Sequence, residues 1–338
     1  MSGKESVRDD LAVVVGTGHL GVNLAKALID QGRRVRVVAY GRDQMLPEFL
    51  SRMPVEIRLG DVSDRQSLLA PFEGVAVVYN ATGYINIGKG GWERLKKINV
   101  DGVENIIRAA AEKGVQKVIC FSSIHAIEQR PLDRVLDESR PLVQMSKDPC
   151  YNHSKAEGES LARKLMTEDG LVDGCILIPT GMMGPMDHVP SEFGEVLLRL
   201  AQGRMSIMVE AGMDWVDIRD VASAALKAEK VAKTGERFVL SGHYVGLRET
   251  AGVVEEVTGV PAPEKYLPLW VARAAAPLAL KYAEMVRQRP AFTPYSMEAL
   301  KGNRMISHQH AIEILGFEPR PHRETVIDSV EWLLKHRH

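Results

Sequence analysis

The sequence predicts an α/β fold, a doubly wound parallel sheet with a smaller C-terminal substrate-binding lobe, and three observations carry that prediction. Short β-branched apolar runs recur at 12–15, 35–39, 55–59, 75–79, 117–121 and 174–178. Longer stretches with helical spacing separate them, notably 20–31, 92–113 and 155–167,. The strand runs are continuously apolar instead of alternating, which marks strands covered by helices on both faces of a sheet. The regular alternation fades after Pro179, where the chain becomes richer in Met, Pro and Gly. We therefore assign 1–179 to the sheet domain, with 214–242 and 305–322 returning to it, and 180–213 and 243–304 to the lobe. A chain of 338 residues suits one large domain with such an appendage,.

Composition narrows the partners. Lys plus Arg number 43 against 44 for Asp plus Glu, with no long single-sign block, so no electrostatic grip on nucleic acid or anionic lipid is expected,. A small-molecule partner is expected instead. Cys120, Cys150 and Cys175 fit neither a metal spacing nor a disulfide framework, which predicts a reducing, cytoplasmic setting and no metal,. The opening MSGKESVRDD lacks the apolar run of a signal peptide,. The apolar stretch from Tyr266 to Leu280 is too short to span a bilayer and carries Arg273 and two prolines, so no integral membrane segment is expected,.

The first apolar run reads LAVVVGTGHLG, from Leu11 to Gly21: a strand, a glycine-rich turn and the start of a helix near Leu20. This is the context in which G-x-G-x-x-G binds a dinucleotide. Gly16 permits the tight turn, Gly18 lets backbone approach a pyrophosphate, and Gly21 lets helix and strand pack closely,. The helix N-terminus then offers N–H groups and partial positive charge, so the phosphates are expected on Gly18, His19 and Leu20,. At the end of the second strand a carboxylate would favour NAD(H), and a cation NADP(H). Here Val35–Ala39 runs into Tyr40-Gly41-Arg42, with no carboxylate before Asp43. NADP(H) is favoured, with Arg42 as phosphate partner and Tyr40 near the adenine; NAD(H) stays open, since Asp43 could reach the ribose.

A reaction is suggested by YNHSK, Tyr151 to Lys155, where Tyr and Lys four apart share one helical face,. A phenol titrating near pH 10 is a poor acid or base at neutral pH, but a neighbouring ammonium and a cationic nicotinamide would lower that value. Tyr151 could then exchange a proton with a substrate oxygen while hydride moves to or from the nicotinamide. Ser122-Ser123, directly after the strand KVICF, adds a hydroxyl for the same oxygen.

With these residues together the chain resembles the extended short-chain dehydrogenase/reductase family almost end to end. Further matching pieces are GDVSD from Gly60, NATG from Asn80, INVDGVENIIRAA from Ile98, Asp137-Glu138, IPTGMMGP from Ile178, WVDIRDVA from Trp215 and AIEILGFEPRP from Ala311. The resemblance implies a Rossmann fold, Tyr151 as acid/base, Lys155 on the nicotinamide ribose, Ser123 polarising the substrate oxygen, and Asn99 as a structural anchor behind Lys155. It further implies cofactor contacts from Asp61, Val62, Ala81, Thr82, Gly83, Pro179, Thr180 and Met182. A homodimer through 92–113 and 151–167 is implied as well.

The chain departs from the family where Val14 and Val15 stand at the usual Thr-Gly, where His19 replaces an aromatic or branched residue, and where IPTGMM lacks an arginine. Within the family, the segments from Glu195 and Ala291 look most like the branch of dihydroflavonol reductases and 3β-hydroxysteroid dehydrogenases. Arg199 and Arg204 are set in a Met-rich stretch with Met186, Met205, Met208 and Met213, which suits an apolar substrate. We expect a hydrophobic ketone, aldehyde or secondary alcohol, in a pocket of Tyr84, His125, Met183, His188 and residues around Trp215 and Trp270. Two other functions stay open: an epimerase or dehydratase acting on a nucleotide-activated sugar, and a non-catalytic NADP-sensing protein.

Overall fold

In the computed structural model, which describes residues 11–41, 48–85, 91–146, 150–285, 297 and 300–336, the strands are β1 (Leu11–Val15), β2 (Arg34–Ala39), β3 (Val55–Leu59), β4 (Val77–Asn80), β5 (Lys117–Phe121), β6 (Asp173–Pro179), β7 (Gly181–Met183), β8 (Ile207–Glu210), β9 (Gly212–Asp217), β10 (Arg237–Leu240), β11 (His243–Gly246) and β12 (Lys265–Pro268). The helices are α1 (His19–Asp30), α2 (Glu48–Ser51), α3 (Arg65–Leu69), α4 (Trp92–Asn99), α5 (Asp101–Glu112), α6 (Tyr151–Thr167), α7 (Glu192–Ala201), α8 (Ile218–Val231), α9 (Leu247–Thr258), α10 (Leu269–Met285), α11 (Gln309–Leu315) and α12 (His322–His336).

Seven strands form one parallel sheet in the order β10-β6-β5-β4-β1-β2-β3. Successive residues of β1 go to opposite faces. Ala12 and Val14 pack with Leu24 of α1 and Val221 and Ala225 of α8, while Val13 and Val15 pack with Ile106 and Ala110 of α5 and Leu165 of α6. Both faces are therefore dry, which is why the strand reads as an unbroken apolar run. The chain leaves β1 toward β3 on one side and β4 toward β10 on the other. At that reversal the loops after β1 and β4 diverge and open a crevice at the strand ends.

The lobe has its own core. β7, β9 and β11 form a small sheet, β8 pairs with β12, and Leu197, Met208, Trp215, Val254 and Val330 are buried together. Burial of each such side chain contributes about 1.5–3 kcal/mol. Residues 214–242 contribute α8 and the edge strand β10 to the large sheet, and Ala311, Leu315 and Phe317 join its core. The C-terminal α12, beyond the expected segments, buries Val326, Val330 and Leu333 in the lobe core.

Two local expectations change. The expected single helix over 92–113 is two helices, because the backbone turns at Val100 (φ −114°, ψ −67°). α6 begins at Tyr151 instead of Lys155, with Cys150 as its N-cap and His153 Nδ1 accepting from the Cys150 backbone N–H at 2.9 Å. Tyr151 is thus the first residue of its helix.

Candidate active site

The glycine turn is built by close approach. Gly16 adopts φ +108°, and a Cβ on Gly21 would sit 2.1 Å from the Gly16 carbonyl oxygen, so only glycine lets α1 pack against the turn,. Gly18 is the N-cap of α1. It has no side chain to satisfy the first N–H groups, and the first turn carries no acidic residue,. A Cβ on Gly18, or on Gly83 across the crevice, meets nothing within 4 Å. Unsatisfied donors, the positive end of a helix and open space fit the pyrophosphate of a dinucleotide.

Around this turn the remaining candidates are held by local bonds. Leu20 turns its side chain into the core, so only its backbone can serve a phosphate. The Asn80 Oδ1 accepts both the N–H and the hydroxyl of Thr82, at 3.2 and 2.5 Å, and shapes the turn through Ala81. Asp61 accepts from the Ser63 N–H at 2.8 Å, and the Val62 carbonyl accepts from Asn105 Nδ2 at 2.8 Å. Tyr40 is exposed at the end of β2. Arg42 and Asp43 lie outside the described residues. Pro179 ends β6, the Thr180 N–H donates to the Leu240 carbonyl at 3.1 Å, and Met182 is partly buried against the sheet core.

His19 reaches across to the lobe: its Nε2 lies 2.9 Å from the Pro185 carbonyl, and its Nδ1 lies 3.7 Å from the buried Asp187 carboxylate. Asn23 Nδ2 donates to the same carbonyl at 3.1 Å. The phosphate turn and the loop after β7 are therefore tied directly together.

Ser123, Tyr151, Lys155 and Asn99 converge. The Tyr151 phenol hydrogen-bonds the Ser123 hydroxyl. One turn on, Lys155 is buried and its Nζ donates to the Phe121 carbonyl at 2.7 Å, at the end of the strand that leads to Ser123. Buried Asn99 exchanges bonds with the Tyr84 backbone, accepting from its N–H at 2.8 Å and donating to its carbonyl at 2.9 Å, and also donates to Ser154 Oγ at 2.9 Å. Ser154 Oγ in turn donates to the Tyr151 carbonyl at 2.7 Å. Asn99 thus joins the loop after β4 to the first turn of α6. At Gly158 a Cβ would sit 2.1 Å from the Asn99 carbonyl oxygen, so glycine is required for α6 to lie this close.

Electrostatics reverse one expectation. Instead of being lowered by its neighbouring ammonium, the Tyr151 phenol is pushed up by burial to about 12, opposed only by the Ser123 bond. Burial also pulls Lys155 down to about 8. Desolvation disfavours both charged forms,.

Past Ser123 a short turn, Ile124–Ala126, carries His125 to a cavity of about 20 Å³. Thr180, Met213, Asp214, Tyr244 and Ile306 also line it, and among the described residues no Lys or Arg does. Asp214 hydrogen-bonds Thr180 and accepts from the Gly242 N–H at 2.9 Å; burial raises its pKa.

Of the other expected pocket residues, Met183 and Trp215 are core residues, 4 % and 6 % exposed, with Trp215 packed on Phe193 at 4.0 Å. Tyr84 lies under the Arg94 guanidinium at 4.3 Å, His188 sits beside Asp187, and Trp270 is exposed on α10. Ser122 is buried and its hydroxyl has no partner among the described residues. Asp214 and Tyr244 were not expected at the site. Tyr244 carries no motif, whereas a carboxylate inside the otherwise apolar strand GMDWVD is a signal that could have marked Asp214,.

Fold and site together define an NAD(P)-dependent oxidoreductase of the extended short-chain type. The NAD dependent epimerase/dehydratase family matches residues 12–241, and the chain belongs to it. It is 30% identical over 322 residues to sterol demethylase protein B of Methylococcus capsulatus, covering 95% of this chain and 97% of that one. It is 27% identical over 337 residues to a putative dihydroflavonol 4-reductase of Synechocystis, covering 98% and 96%. The crystal structure of gox2253 superposes with a TM-score of 0.81 at 29% identity, covering 97% of this chain and 99% of that one. Among the described residues no helix is long and apolar enough to cross a membrane.

Proposed function

We propose that this chain is an NADP(H)-preferring reductase or dehydrogenase acting on a neutral, hydrophobic ketone, aldehyde or secondary alcohol, with Tyr151 as acid/base. The observation that carries this reading is the cavity beyond Ser123, whose lining among the described residues includes the Asp214 carboxyl and no Lys or Arg, with the Arg304 guanidinium outside it on the Tyr244 ring at 5.2 Å. A diphosphate-bearing sugar would need compensating positive charge there. The name of the relative sterol demethylase protein B points to a fused-ring compound, a substrate type that such a neutral wall accommodates.

Gly16, Gly18, His19 and Gly21 would hold the pyrophosphate and Lys155 the nicotinamide ribose. When bound, the nicotinamide supplies or accepts the hydride. Ser123 Oγ accepts from the His125 backbone N–H at 3.3 Å and bonds the Tyr151 phenol, so the two hydroxyls are held together where a substrate oxygen would meet both. A phenol held near 12 is protonated at neutral pH, so Tyr151 is set to give its proton to a carbonyl oxygen. Support for NADP(H) is the strand end itself, which reaches Arg42 before any carboxylate. We further propose a cytoplasmic homodimer through α4, α5 and α6, which light scattering tests.

NADPH and NADH consumption followed against ketosteroids, aromatic ketones, long-chain aldehydes and nucleotide-diphosphate sugars tests the whole reading. Ketone-dependent NADPH oxidation, lost in Tyr151→Phe, is the expected result. Conversion of a sugar nucleotide without net cofactor consumption would overturn it.

A further inference from the structure

We infer that the cavity beyond Ser123 recognises a second, uncharged oxygen of the substrate, a hydroxyl or carbonyl remote from the reacting one, held by the His125 imidazole and the Tyr244 hydroxyl. The inference rests on the reading of the chain as a reductase of neutral carbonyl compounds.

Two polar groups from two parts of the fold face this space without partners. His125 stands on the turn after β5 and Tyr244 on β11 of the lobe, and neither the imidazole nitrogens nor the phenol oxygen has a hydrogen-bond partner among the described residues. The polar groups around them are occupied. Asp214 is engaged by Thr180 and the Gly242 N–H, Gln129 Nε2 donates to the Ile124 and Ile127 carbonyls at 2.8 and 3.0 Å, and Asn303 Nδ2 donates to the Arg134 carbonyl at 2.8 Å. Both groups are half-buried and keep hydrogen-bonding capacity that a ligand atom entering the cavity would use,.

Size and charge name that atom. The cavity, about 20 Å³, holds roughly one water-sized group. Burial holds His125 down to about 4, so its ring is neutral at working pH and offers one donor and one acceptor. Tyr244 offers both as well, and the Asp214 carboxyl lies on the same wall. An uncharged oxygen satisfies both groups. Gly212 makes the arrangement possible, since a Cβ there would come within 2.8 Å of the Tyr244 hydroxyl.

The test compares androstanedione with androstanone, which differ in the distal carbonyl, as substrates of the full-length protein with NADPH. The wild type is expected to prefer the diketone by about tenfold or more in kcat/KM, because a site built to bond an oxygen disfavours the analogue without one. His125→Leu should remove that preference, read as the ratio of kcat/KM for the two ketones, chiefly through a larger KM for the diketone. Tyr244→Phe should reduce the preference, and His125→Asn, which keeps a donor and an acceptor, should retain part of it. Equal losses on both ketones in His125→Leu, or turnover of both by the wild type without preference, would overturn the second-oxygen site alone. Absence of turnover on every ketone and aldehyde would overturn the underlying reading and this inference with it.

Discussion

Lys155→Met should make the protein more stable and nearly inactive. The ammonium is buried, and its folded-state pKa is pulled from 10.5 to about 8 by burial. At 1.36 kcal/mol per unit, holding the charged form in the fold costs about 3 kcal/mol. One offset is the bond from Nζ to the Phe121 carbonyl, 2.7 Å long, which contributes about 1 kcal/mol. Met fills a similar volume without charge, so a net gain of about 2 kcal/mol is expected at neutral pH.

The pH dependence identifies the cause. Below about 8 the amine is protonated in both states and the full penalty applies. As pH rises toward 10.5 the unfolded chain loses its proton as well, and the penalty fades. Urea denaturation of wild type and variant at pH 7 and pH 9.5 measures this: the penalty falls to a little under half at the higher pH, so after the offset the difference is expected to shrink from about 2 kcal/mol to under about 1 kcal/mol,. Turnover should drop by about 100-fold or more. A variant less stable than wild type by the same amount at both pH values would refute the reasoning, because Lys155 would then act as a packing element with no desolvation cost.

Gly18→Ala and Gly21→Ala should separate binding from folding. The first meets open space and should melt normally while losing cofactor affinity; the second places a Cβ 2.1 Å from the Gly16 carbonyl oxygen and should destabilise by about 2–4 kcal/mol. Asn99→Leu strips the Tyr84 N–H and the Ser154 hydroxyl of their partner. A loss of about 2–4 kcal/mol in thermal or urea unfolding is expected, together with reduced kcat, and an unchanged kcat would argue against its coupling to Tyr151. Arg42→Glu should shift the NADPH to NADH ratio of kcat/KM toward NADH by about tenfold or more, and no shift would remove Arg42 as the phosphate partner.

Much of this was legible in the chain because its chemistry is local. The continuous runs of β1, β4, β5 and β6 declared a sheet dry on both faces, and Gly16, Gly18 and Gly21 declared a helix resting on a tight turn. Ser123, Tyr151 and Lys155 followed from a four-residue spacing and a strand end. The pocket was legible only in part. His125 does line the cavity, but Met183 and Trp215 are core, because a Met or Trp in a lobe strand looks the same in sequence whichever face it turns inward. Tyr244 and Asp214 come to His125 only through the pairing of β11 with β9.

By itself the sequence determined the fold class, the position of the glycine turn and the identity of the Ser-Tyr-Lys group, since each depends on residues near one another along the chain. Tertiary structure decided what those groups experience. Burial there raised Tyr151 and lowered Lys155 against the expected ion-pair effect. It tied His19 to Pro185, and it set His125 and Tyr244 unpaired around one small space. Desolvation and long-range juxtaposition come from the packed chain as a whole, and no local spacing encodes them.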